Sequence, residues 1–138
     1  NGAMVEGWAV YGERMMLESG YGGNTPEMWL MWSKWNLRVV TNTILDYSVH
    51  VLGINEAQAM DMLVRQAFQT RSEAVEKWHR AKVSSVQLTS YFSGYSEIMD
   101  LREERKQALG QRFDLKAFHE QFLSYGSAPV PMIGELMR

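Results

Sequence analysis

From Thr25-Pro26 to about Leu52 the chain carries apolar side chains around nearly the whole circumference of a helix: Met28, Trp29, Met31, Trp32, Trp35, Leu37, Val39, Val40, Ile44, Leu45, Val49 and Val51. A helix that is apolar on most sides must be covered on most sides, so this one belongs in the centre of a bundle. The rest of the sequence supplies helices to cover it. No Val/Ile/Thr-rich alternation of the kind that builds a sheet occurs anywhere, and the spacing predicts an all-α bundle with two long central helices.

The flanking elements are marked by caps and breakers. A first helix over about residues 3–19 stops at Gly20, and Gly-Tyr-Gly-Gly-Asn-Thr-Pro punctuates the chain before the long helix at 27–52. Gly53-Ile54-Asn55 ends that helix and caps the next, predicted to reach about Gln69. A more charged helix follows from Arg71 to about Ala81, pinned by Trp78, and a second long one from about Val86 to Leu109, stopped by Gly110. Asp114 caps a shorter helix with Phe118, Phe122 and Leu123 inward, and Gly126-Ser127-Ala128-Pro129 leads to a last short helix ending at Leu136-Met137. No repeat, linker or low-complexity tract is present, so residues 1–138 read as a single helical domain. Asn1-Gly2-Ala3-Met4 runs straight into helical pattern, as expected of a segment cut from a longer protein.

Bulk composition excludes several classes of function. A formal charge of -2, with basic and acidic residues interspersed, leaves no electrostatic footprint for nucleic acid. No apolar run approaches the roughly 18 residues that cross a bilayer. With no cysteine there is neither a thiol nucleophile nor a Cys-type zinc site, and periplasm, secretion and cytoplasm all remain open.

Charged residues on apolar helices are where chemistry is to be sought. Glu6 and Glu13 lie seven residues apart, which puts both carboxylates on one face of the first helix. A buried carboxylate needs a partner, whether an Arg, a Tyr or a metal ion. On the long helix Arg38, Asn42, Asp46 and His50 succeed one another at i, i+4 spacing. This stripe reads either as an internal hydrogen-bond ladder, with Asp46 orienting His50 and Arg38 neutralising a carboxylate, or as a row facing a site. Further along, Gln87 and Tyr91 share a face with Gly94, and Tyr95 extends their row. His79 and His119 have no second ligand at helical spacing, and both read as surface or capping residues.

Several of these segments resemble motifs of one bacterial family, the domain of unknown function family 885. Glu6-Gly7-Trp8-Ala9 is similar to its Glu-Gly-Trp-Ala motif, and Asp46-Tyr47-Ser48-Val49-His50 to its Asp-x-Gly-x-His segment, with Ser48 in place of Gly. The Gln87 to Gly94 stretch resembles Gln-x-x-x-Tyr-x-x-Gly. Members of that family resemble gluzincin-type zinc peptidases. The resemblance implies that Glu6 is one protein ligand of a zinc ion, completing a site begun by an upstream His-Glu helix that this sequence does not contain. It also implies that Tyr91 steadies an oxyanion, as a core tyrosine would not, and that His50 contacts ligand or substrate. Glu13, Arg38, Asn42, Asp46, Gln87 and Tyr95 are then supporting or substrate-side residues, although Asn42 stands where many members carry Arg. Zinc and a peptide substrate are expected for the whole protein. The isolated chain, with one carboxylate and no imidazole partner, is expected to be inert. The Trp29, Trp32 and Trp35 cluster cannot all face inward, so part of it is expected to meet the missing N-terminal portion or a second copy of the chain.

Overall fold

Side-chain caps fix where the helices begin. In the computed structural model, which describes residues 1–138, α1 (Gly2–Glu18) starts where the Asn1 side chain accepts from the Met4 amide. After a short 3₁₀ turn at Tyr21–Asn24, α2 (Pro26–Tyr47) starts from Thr25 with Pro26 in its first turn. α3 (Glu56–Met60) and α4 (Arg71–Val83) each open with a reciprocal capping box, Asn55 with Gln58 and Thr70 with Glu73. α5 (Thr89–Leu109), α6 (Leu115–Ser124, capped by Asp114) and α7 (Val130–Leu136) complete seven α-helices with no strand, an all-α bundle. None is long and apolar enough to cross a membrane.

Helix ends follow longer-range forces. α2 widens into a π turn over Ser48–Leu52, and α3 continues as a π segment, Asp61–Gln66, that stops before Phe68 at φ 55. The second long helix begins at Thr89 rather than Val86. Val86 is held at φ 69 because the carboxylate of Asp46 accepts the Val86 and Leu88 amides at 3.2 and 3.0 Å, and that turn must finish before a helix can start. Gly20, at φ 91, takes the left-handed position that closes α1.

Two cores result. The larger lies among α1, α5, α6 and α7, around Tyr11, Ile98, Phe122 and Ile133; the smaller joins the end of α2 to α3 and α4 through Leu45, Leu63, Trp78 and Leu88. The longest contact in the molecule runs between α1 and α5, which cross where Gly7 meets Gly94. In its C-terminal half α2 buries Thr41, Leu45 and Asp46, while Ile44 and Tyr47 on the other side stay exposed. Leu30, Met31 and Trp35 in its N-terminal half are exposed. Trp29 and Trp32 meet edge to face beneath the Arg14 guanidinium, so of the three tryptophans it is Trp35 that faces outward.

His119 is half-buried against the larger core rather than free at the surface. Its Nε2 lies 2.7 Å from the Tyr11 hydroxyl, and its ring stands edge-on to Trp8. Burial, and secondarily the Arg102 charge, holds its pKa below the usual 6.5. A folded state that disfavours the proton is at full advantage above the unfolded value and loses stability as pH falls through and below about 6.5. Urea denaturation at pH 7.5 and pH 5 is expected to show this loss, and His119→Gln is expected to diminish it.

Candidate functional site

Between the two cores, α1, α2, α4 and the start of α5 enclose a cleft of about 260 Å³. It gathers residues from four separate sequence segments: Glu13 from α1, Arg38 and Asn42 from α2, Lys77 and Arg80 from α4, and Tyr91 from α5. Val10, Trp35, Val39 and Leu88 add apolar wall.

The polar groups of the cleft differ in how far they are already engaged. Arg38 forms an ion pair with Glu73 at 3.0 Å and stacks over Trp35, 4.6 Å from the ring centroid. Glu73 itself is held below the ordinary carboxylate range, first by the Thr70 amide and hydroxyl and then by Arg38. Arg80 donates from Nη2 to Gln87 Oε1 at 2.7 Å, a neutral partner that leaves its charge uncompensated. Lys77 makes no ion pair within the chain; burial, then the Arg80 and Arg38 charges, push its pKa down. Gln87 donates from Nε2 to the Tyr91 hydroxyl at 3.3 Å, so the Tyr91 proton remains free to be donated. Burial raises the pKa of Glu13.

The remaining residues singled out in the sequence lie elsewhere. Glu6 is half-buried and forms no hydrogen bond or ion pair in the chain; it stands one turn before Ala9 and Val10 and two before Glu13, on the α1 face that lines the cleft. Asp46 is 2% exposed and clamps the turn before α5. His50 donates from Nε2 to the Ala81 carbonyl at 2.8 Å, with Asp46 Oδ1 3.3 Å from the same nitrogen. The i, i+4 stripe of α2 therefore divides: Arg38 and Asn42 border the cleft, whereas Asp46 and His50 tie α2 to the ends of α4 and α5. Tyr95 is buried in the larger core beside Phe92.

Lys77 and Arg80 were not singled out from the sequence, because α4 reads as a solvated charged helix. A signal was nevertheless present. Lys77 lies three residues after Ala74 and four before Ala81, within the stripe of small residues that packs inward, so its stem has to share that buried face.

A zinc site is not complete within these residues. No three His, Cys, Asp or Glu side chains stand together to hold a metal ion, so the residues present do not fit the group by themselves.

A solved structure of a Shewanella oneidensis protein of unknown function, provisionally classed as a lipoprotein, is similar to this chain at 69% identity and a TM-score of 0.96. The similarity covers 99% of this chain and 25% of the other, so this chain spans about a quarter of that protein's length. No curated protein matches. The profile of the family described as bacterial protein of unknown function (DUF885) matches residues 1–137, and the chain belongs to that family.

Proposed function

We propose that this chain is one wall of a metal-dependent peptide-hydrolysing site, contributing the Glu6 carboxylate and the cleft beside it, with the other metal anchors supplied from outside these residues. The supporting observation is convergence. Arg38, Asn42, Tyr91 and Glu13, distant in sequence, border a single cleft on the face of α1 that also carries an unpartnered Glu6. Within that reading Tyr91 is placed to donate its free proton to an oxygen that gains negative charge, with Gln87 holding the phenol from behind. Asp46 and His50 act as positioning residues, since they fix the turn from which Gln87 and Tyr91 follow. The Shewanella protein's provisional class supports a location in the cell envelope.

The test is Glu6→Gln in the full-length protein. The expected result is loss of bound metal and of peptide hydrolysis, with the isolated chain inert even when zinc is added. Unchanged metal stoichiometry and unchanged hydrolysis would reject Glu6 as a ligand. A second reading, a non-catalytic packing module, is favoured by the uncovered half of α2, where Leu30, Met31, Trp35 and Phe68 border an apolar groove of about 780 Å³. That reading predicts that full-length protein with intact Glu6 binds no metal.

A further inference from the structure

The cleft has a chemical polarity that peptide hydrolysis alone does not require. Arg38, Lys77 and Arg80 bring cationic charge to one edge, and only Glu73 offsets it there. The groups left free are the Lys77 ammonium and the Tyr91 hydroxyl, both able to donate, and the Asn42 amide, whose Oδ1 is buried without a partner. Glu13 is the one carboxylate that lines the cleft itself, so three cations stand against Glu13 and Glu73. A surplus of donors and positive charge in a half-closed space calls for a ligand that is anionic and accepts on several sides. The apolar wall of Val10, Trp35, Val39 and Leu88 borders the same space, so the anion should carry a hydrocarbon group beside its charge, as a free phosphate does not.

We propose that Lys77 and Arg80 bind the terminal carboxylate of a short peptide, and that this cleft thereby selects peptides by their free C-terminal end. The assignment rests on the peptide reading above and deepens it. Arg38 is a lesser contributor, because Glu73 already engages its guanidinium. Lys77 comes to the cleft unpaired, and Arg80 is held in place by the neutral Gln87. The volume of about 260 Å³ suits one terminal residue with its carboxylate, not an extended polymer.

The experiment is calorimetric binding to the full-length protein of trileucine, its peptide bonds N-methylated to block turnover, as the free acid and as the C-terminal amide. The acid is expected to bind roughly tenfold or more tightly than the amide. The double variant Lys77→Met, Arg80→Met is expected to bring acid and amide to the same affinity, and Lys77→Arg is expected to keep the preference. Should the double variant fold poorly, the single Lys77→Gln is expected to lose most of the discrimination. Equal binding of acid and amide by the wild type, or a preference that survives removal of both cations, would overturn the assignment. Inorganic phosphate that binds without being displaced by the acid peptide would overturn it in favour of a free anion. Because binding is read without turnover, the two proposals fail separately. A preference for the acid in a protein that hydrolyses nothing leaves this assignment standing and rejects the peptidase reading. Hydrolysis without that preference does the reverse.

Discussion

Gly94→Ala is expected to lower the thermal midpoint of the protein by about 10 °C or more, a destabilisation of roughly 3 kcal/mol. α1 and α5 cross backbone to backbone at this point. A Cβ added at Gly94 would lie 2.6 Å from the Ala3 carbonyl carbon and 3.0 Å from Gly7 Cα, and one added at Gly7 would lie 2.5 Å from the Tyr95 amide nitrogen. Neither obstacle is the tip of a flexible side chain, so the helices themselves must separate. Separation would open the larger core around Tyr11 and Ile98, both fully buried, and that loss of packing is what makes the effect large. Gly12→Ala supplies the contrast within α1. Nothing lies within 4 Å of an added Cβ at Gly12, and the helical gain from alanine is expected to stabilise by up to about 1 kcal/mol. If melts followed by circular dichroism show the two substitutions to be equivalent, the crossing does not bear the packing described for it.

Which features were legible in the sequence follows from the range of the forces that fix them. The starts of α2, α3 and α6 depend on a side chain bonding to an amide three residues away, and Thr25, Asn55 and Asp114 announce it; Asn1 and Thr70 cap α1 and α4 in the same way, although the sequence reading named neither as a cap. The start of α5 depends on Asp46, some forty residues distant in the chain, and pattern alone put it at Val86. Apolar periodicity announced that α2 needs covering on most sides, but it could not say that this chain buries only Thr41, Leu45 and Asp46 and leaves Leu30, Met31, Trp35 and Ile44 exposed. His119 carries no pattern that distinguishes a capping histidine from one bonded to Tyr11, because that bond spans most of the chain. At the candidate site, α2 and the segment around Tyr91 advertised themselves by polar residues on otherwise apolar faces. Lys77 and Arg80 were masked by the ordinary charge of an amphipathic helix.

The same long-range dependence makes Asp46 the other position of large effect. Asp46→Ala is expected to cost about 3 kcal/mol, because two backbone amides near the smaller core lose their acceptor and His50 loses the carboxylate beside its Nε2. Asp46→Asn keeps a single carbonyl acceptor and turns an amino group toward donors, so it is expected to fall between alanine and the wild type. The damage should be local first. Hydrogen exchange at the Val86 and Leu88 amides is expected to accelerate more than at Ile98 or Leu101, which sit deeper in α5. Because the turn that Asp46 clamps also carries Gln87 and leads to Tyr91, loss of the clamp should loosen the Arg80 to Gln87 to Tyr91 chain and weaken the peptide binding proposed for the cleft. Val86→Gly separates the clamp from the strain it maintains. Val86 is exposed and β-branched at φ 69, a conformation that costs such a residue of order 1 kcal/mol, so glycine there is expected to be neutral or mildly stabilising while the Asp46 bonds persist. If Val86→Gly proves as damaging as Asp46→Ala, the stability resides in the valine side chain and not in the carboxylate that holds its backbone.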